Sequence, residues 1–164
     1  MTMGEEVFQG LKVLDFSWAI AGPWTVKYLA DHGAEVIHVE TSHHPDIIRA
    51  GPPFKDDKPG VDSSAYWVNY HCNKYGLSLN MNHPRAPEVT KKLVSWADVI
   101  VENFSPGVMQ RWGLSYEEAM EIKPDIIMLS SSQLGQTGPL ATMRGTGVQL
   151  TAYTGFNYLT GWED

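Results

Sequence analysis

The sequence predicts an α/β fold: a parallel, doubly wound sheet with helices on both faces. Three observations predict it. Short apolar runs rich in β-branched residues recur along the chain, as strands buried on both faces require. Amphipathic segments with start and stop signals lie between those runs. The links are mostly short, and strand–helix alternation with short links belongs to parallel sheets.

The first strand is read at Val13-Leu14-Asp15-Phe16. A helix over Pro23 to His32 follows, and Gly33 is its natural stop. The second strand opens at Glu35 and contains Val36-Ile37-His38-Val39. A loop from Thr41 to Ser64 comes next, rich in Pro, Gly and Asp. Loops longer than about 12 to 15 residues are usually functional or disordered, so this one is expected to cover a ligand or a partner. Leu77-Ser78-Leu79-Asn80 alternates like a further strand. Pro84 to Trp96 reads as a helix, with Pro in its first turn and Val89, Leu93 and Trp96 on one face. Val99-Ile100-Val101 is the next strand. Ser115-Tyr116-Glu117-Glu118 has capping-box spacing, and Pro124 closes that short helix. Ile126-Ile127-Met128-Leu129 is the last strand, and a final helix is read from about Gly147 to Tyr158.

Composition narrows the function classes. The 164 residues suit one domain. With 43% hydrophobic and 19% charged residues, the chain is neither a disordered tail nor a charged coiled coil. Lys plus Arg is 12 and Asp plus Glu is 19, so the net charge is 12 − 19 = −7. That balance argues against a nucleic-acid partner, while leaving room for a small anionic ligand. Cys72 is the one cysteine, which excludes an intrachain disulfide and a cysteine metal cage. No apolar run approaches the roughly 18 residues of a membrane span. Met1 to Glu6 has neither the basic nor the apolar region of a signal peptide, so a cytoplasmic protein without a membrane partner is expected.

Ligands of such sheets sit beyond the carboxyl ends of the strands, and four segments there carry candidate chemistry. After the first strand comes Ser17-Trp18-Ala19-Ile20-Ala21-Gly22-Pro23-Trp24. Small residues and a helix N-terminus could cradle a phosphate or a thioester; a tight strand-to-helix turn reads equally well. It is not a dinucleotide fingerprint, since G-x-G-x-x-G is absent. After the second strand, His43, His44 and Asp46 invite a metal. Adjacent side chains point apart, so no metal site is expected. Arg49 could grip a phosphate or bridge to a carboxylate. Glu102-Asn103-Phe104-Ser105-Pro106-Gly107 with Arg111 suits an adenine nucleotide with a phosphate tail, or is a turn. Ser130 to Pro139 holds three serines without G-x-S-x-G or a partner base, so it reads as a polar, Gly-rich loop. Arg144 beyond it could meet an anion.

An ordered set of motifs carries a family resemblance. It comprises Val13-Leu14-Asp15-Phe16, Ala21-Gly22-Pro23, Leu29 to Glu40, Asn73-Lys74, Ala97-Asp98-Val99 and Glu102-Asn103-Phe104. Pro106-Gly107-Val108, Arg111-Trp112-Gly113-Leu114, Gly135 to Pro139, Tyr153-Thr154-Gly155 and Leu159 to Asp164 continue it in one register. The chain resembles the N-terminal portion of the class III (CaiB/BaiF-type, formyl-CoA transferase-like) CoA-transferases. The resemblance implies a Rossmann-like sheet that is the N-terminal part of the family's large domain. It implies an enzyme moving CoA between an acyl-CoA and a carboxylic acid through an aspartyl-CoA thioester. Coenzyme A is then a substrate and no cofactor is permanently bound. The full-length form is expected to be an interlocked homodimer, or to need a complementing chain.

Carried over position by position, the resemblance places Ile20 and Ala21 at the thioester. It places Leu79, Asn80, Met81, Asn82, Asn103, Phe104, Ser105, Arg111, Arg144, Thr146 and Gly147 around the nucleotide and pantetheine. Three departures shape the expectation. Thr41 stands where some members carry a phosphate-binding Arg, and Arg49 or Lys74 could replace it. Ile20 stands where oxalate-specific members carry Gln, and beside Trp18 and Trp24 it would suit a bulkier or aromatic acyl group. Thr146 stands where related racemases carry a proton-shuttling His. The family's nucleophilic Asp is expected beyond Asp164, so residues 1–164 hold no catalytic residue and are expected to be inactive alone. The alternative readings are a non-catalytic Rossmann-type nucleotide-binding or interaction module and, third, a racemase relative. An open sheet edge and apolar faces such as those of Phe156 and Tyr158 would favour self-association.

Overall fold

The computed structural model describes residues 6–162. Residues 1–5, Glu163 and Asp164 lie outside them, and so do most of the signal-peptide reading and the motif's closing acid. The elements are β1 (Lys12–Asp15), α1 (Ala21–Asp31), β2 (Glu35–Glu40), α2 (Ala65–His71), β3 (Tyr75–Ser78) and α3 (Ala86–Trp96). β4 (Val99–Glu102), α4 (Val108–Arg111), α5 (Tyr116–Ile122), β5 (Ile127–Ser130), α6 (Gly147–Tyr153) and α7 (Phe156–Leu159) follow.

All five strands are parallel, in the order β3-β2-β1-β4-β5. The chain builds outward from β1 to β3, then returns to lay β4 on the other side of β1. The switch point therefore lies between β1 and β4, where Val13 pairs with both Val36 and Val99. The doubly wound sheet is the one expected.

Alternation within β1 shows why the sheet needs helices on both faces. Leu14 joins Ile100, Val94, Met109, Leu114 and Ala119 in one core. Its neighbour Val13 points the other way and joins Val26, Ala30, Val36 and Val101 in a second. α3, α4 and α5 thus cover one face, and α1 the other. Burying side chains of this size contributes about 1.5–3 kcal/mol each. Among the described residues, no helix is long and apolar enough to cross a membrane.

Three elements depart from expectation. α2 occupies residues that composition left unassigned. Its start is set by Ser64, whose hydroxyl accepts from the Trp67 amide at 3.4 Å and bonds the carbonyls of Ile48 and Gly51, each at 2.7 Å. The last helix is two helices, because Gly155 breaks it with φ of +82°. β3 begins at Tyr75, two residues earlier than the alternating pattern. The loop of 41–64 is ordered around single 3-10 turns at Ile47–Ala50 and Lys55–Asp57.

Candidate functional site

Three neighbouring strands end in acids, buried at β1 and β4 and partly buried at β2. Asp15 closes β1, Glu40 closes β2 and Glu102 closes β4. Each accepts an amide from its own outgoing loop. Asp15 takes Ser17 N–H at 2.9 Å, Glu102 takes Phe104 N–H at 2.7 Å, and Glu40 takes Asp46 N–H at 2.7 Å. Buried carboxylates survive only when paired and hydrogen-bonded. Asp15 also holds the Ser17 hydroxyl, His38 Nδ1 at 3.1 Å and Lys74 Nζ at 3.0 Å. Glu40 carries Arg49 through two nitrogens, at 2.8 and 2.7 Å.

These partners shift the local pKa values. Burial alone would raise the Asp15 carboxyl. The hydrogen bond and charge of His38, the Lys74 ammonium and the Ser17 hydroxyl outweigh it and hold the group well below the usual carboxylate range. Burial likewise opposes Asp46, but His71 and the amides of Ile48 and Ala19 keep it below its ordinary value. Burial lowers the Lys74 ammonium, with Asp15 opposing. Burial pushes His71 down to about 4.

Side chains from three parts of the fold grip the turn after β1. Ser17 N–H goes to Asp15. Trp18 N–H goes to Asn103 Oδ1 at 2.8 Å, and Asn103 Nδ2 returns a bond to the Trp18 carbonyl at 2.7 Å. Ala19 N–H goes to both oxygens of Asp46, at 2.9 and 3.1 Å. Ala19 itself is left-handed, with φ of +62°. Gly22 is required by space: a Cβ there would meet Ser17 Cβ at 2.3 Å. Among the described residues no side chain caps α1 and no acid lies in its first turn, and the Asp46 carboxylate on Ala19 is the negative group beside that end.

A cavity of about 230 Å³ lies next to the turn. It is lined by the aromatic rings of Phe16, Trp18, Phe104 and Trp112, together with Leu79, Asn80, Met81, Asn82, Thr41 and His44. Trp18 meets Phe104 edge-on at 5.7 Å, and Phe104 meets Trp112 edge-on at 5.3 Å. Apolar walls with amides at the rim suit a flat heteroaromatic ring. Phe104 also walls a neighbouring polar recess of about 290 Å³, shared with Asn103, Ser105, Ser132, Gln133 and Arg144.

A third cavity, of about 350 Å³, lies beneath the long loop and holds Arg49. The Arg49 guanidinium stacks 3.3 Å from the Trp67 ring and pairs with Glu40 and Asp62. Of its two readings, the carboxylate bridge is the one formed. Lys74 is buried on Asp15, away from both site cavities. Arg49 lines the same cavity as Thr41, with its guanidinium engaged by Glu40, Asp62 and the Val61 carbonyl.

The placement of the remaining candidates is uneven. Leu79 to Asn82 and Phe104 share the aromatic cavity, while Asn103, Ser105 and Arg144 line the recess. Ile20 and Ala21 stand exposed at the start of α1. Arg111 folds back on the Gly107 carbonyl at 3.0 Å and lines neither cavity. Thr146 caps α6 and spends its amide and hydroxyl on Gln149, at 2.8 and 2.6 Å, and Gly147 is the first residue of that helix. Trp18 and Trp24 part company: Trp18 enters the cavity, whereas Trp24 packs on Tyr28 and Tyr70. They form no joint acyl surface with Ile20.

Sequence reasoning gave no site role to Asp15, His38, His71 and Trp112, and weighed Asp46 only as a metal ligand. The available signal was charge inside apolar strands: Asp15 between Leu14 and Phe16, and His38 between Ile37 and Val39. Asp15, His38 and His71 offer ligand atoms within 4.8 Å of one another, a spacing that could hold a cation. The Lys74 ammonium already occupies Asp15, so the cluster reads as a buried ion-pair network. His43 and His44, the adjacent pair, are not in it.

Comparison with known proteins supplies the family. The model of CoA-transferase family III matches residues 8–164. Succinyl-CoA:glutarate CoA-transferase of Mus musculus is 37% identical over 95% of this chain and 35% of its own length. The BbsE subunit of succinyl-CoA:(R)-benzylsuccinate CoA-transferase of Thauera aromatica is 36% identical over 97% of this chain and 38% of its own. A CaiB/BaiF family protein from Brucella suis superposes with a TM-score of 0.87 at 34% identity, over 96% of this chain and 41% of that one. The chain thus spans well under half the length of these relatives. A parallel sheet whose carboxyl rim carries an aromatic cavity, matched from end to end by one family, leads to a single assignment: the chain belongs to CoA-transferase family III.

Proposed function

We propose that this chain is the CoA-binding part of an enzyme that transfers CoA between an acyl-CoA and a carboxylic acid. The cavity between Trp18, Phe104 and Trp112 carries the reading, because it lies at the carboxyl ends of the strands on the turn that leads into α1. The adenine ring enters the cavity, the phosphates and pantetheine pass the Phe104 wall, and the thioester reaches Ile20 and Ala21. Relatives named for succinyl, glutarate, malate and oxalate transfer make a dicarboxylic acid the favoured substrate class. CoA is consumed and returned as a substrate.

The chemistry is nucleophilic catalysis by a carboxylate. An Asp supplied from outside residues 1–164 attacks the acyl carbonyl and expels the CoA thiolate, leaving a mixed anhydride. The thiolate attacks the aspartyl carbonyl, releases the first acid and forms the aspartyl-CoA thioester. The second acid attacks that thioester, the thiolate leaves, and its return to the new acyl group regenerates the Asp. The residues of this chain orient the thiolate and hold the nucleotide.

Titration calorimetry with CoA, ATP and NAD tests the reading, with CoA expected to bind most tightly. Preference for ATP or NAD favours a nucleotide-binding module instead. Incubation of the 164-residue chain with acyl-CoA and hydroxylamine, followed by mass spectrometry, should leave every Asp unmodified.

A further inference from the structure

The long loop was expected to cover a ligand or a partner, and through Asp46 it also holds the backbone of the turn after β1. We propose that Asp46 is a positioning residue that sets the direction of the Ile20–Gly22 backbone, and through it the thioester end of the CoA site. The inference rests on the CoA reading and deepens it.

Asp46 is 1% exposed and is itself held by two hydrogen bonds, with His71 beside it. Its amide donates to Glu40 at 2.7 Å, its carboxylate caps the 3-10 turn through Ile48 N–H at 3.1 Å, and His71 Nε2 stands 3.6 Å away. From that anchorage both carboxylate oxygens receive the Ala19 amide. Ala19 is the left-handed residue of the turn. An L-residue with a Cβ disfavours that conformation, so an external partner has to hold it there. Ser17 and Trp18 before it are held by Asp15 and Asn103, and α1 begins two residues after it. Ala19 is therefore the joint between a clamped turn and a helix start, and Asp46 is its only side-chain partner among the described residues. With Asp46 gone, Ala19 relaxes toward its ordinary conformations and the first amides of α1 swing away. The aromatic cavity keeps its shape, because Phe104 and Trp112 lie outside the turn and Trp18 stays clamped at both its amide and its carbonyl by Asn103.

The test compares two ligands on the intact protein by calorimetry: CoA, and 3′-phosphoadenosine 5′-diphosphate, which lacks the pantetheine arm. Asp46→Ala should weaken CoA about tenfold, the size of a left-handed penalty, and leave the nucleotide within about twofold. Asp46→Asn keeps an acceptor oxygen and should recover most of the CoA affinity. Asp46→Ala combined with Ala19→Gly should recover part of it, since glycine takes a positive φ freely. Equal weakening of both ligands, or no weakening of either, overturns the inference while leaving the CoA reading intact. Wild-type protein that binds neither ligand overturns the CoA reading, and the inference with it.

Discussion

The turn that leaves β1 and the segment that leaves β5 start from equivalent places on one sheet, yet they are held in opposite ways. In the turn, three successive amides each meet a side-chain acceptor from a different part of the fold. In the segment after Ser130, no described residue is buried, and Tyr158 and Trp162 are 93% and 98% exposed. α6 and α7 pack chiefly on each other. The difference teaches where order comes from. A segment is fixed when its polar backbone finds buried partners and its side chains leave water, because those gains offset the entropy of ordering it. The first region has both and can preorganise a ligand site. The second contributes Arg144 to the recess from an exposed stretch.

Breaking the braced region should have the largest effect. Lys74→Met leaves the Asp15 carboxylate buried without its ammonium partner, and should cost about 3–5 kcal/mol in denaturant unfolding. A smaller loss, under about 1 kcal/mol, would mean that His38 and Ser17 suffice. Acid comes next. His71 has a folded pKa of about 4 against an ordinary 6.5, so below 6.5 the unfolded chain takes up a proton that the folded chain refuses. Stability should therefore fall by about 3 kcal/mol as pH drops from 6.5 to 4, and His71→Gln should flatten that slope. Asp15 and Asp46 lie below their ordinary value, so what they contribute is present above the carboxylate range and fades only in stronger acid.

Smaller effects sharpen the contrast. Phe104→Ala removes the wall shared by both cavities and should weaken CoA binding by about 1–3 kcal/mol in calorimetry. Tyr158→Ser in the exposed segment should change unfolding free energy by less than about 0.5 kcal/mol. A Tyr158 effect as large as that of Lys74 would erase the distinction between the two regions.

Most of the architecture was legible. β1, β2 and β4 announce themselves by short apolar runs, because a strand buried on two faces has no polar side to disguise it, and the edge strand β5 is as apolar although Ile127 and Leu129 stand exposed. Ser115 and Pro124 bracket α5 as their chemistry requires, and the capping box is formed in both directions. α2 was not legible, since its start depends on Ser64 bonding carbonyls of a distant loop. The candidate site was half legible. Of the residues that the resemblance placed around the nucleotide and pantetheine, Leu79 to Asn82 and Phe104 line one cavity. Asn103 lines the polar recess, and its carboxamide also bonds the Trp18 amide and carbonyl, a role that spacing did not suggest. The acids of the rim were missed because their meaning lies in which amide they accept, a relation that spacing along the chain does not encode.

The grip on the turn has a consequence for folding order. Trp18 waits for a partner 85 positions later, Ala19 for one 27 positions later, and Asp15 for an ammonium 59 positions later. Closing such long spans is slow compared with forming local helices. α1 can nucleate early, but the bend that aims it has no native shape until β4 has paired and Asn103 has arrived. A ribosome that has released only the first hundred residues has therefore released strands and helices without the place where they are meant to act.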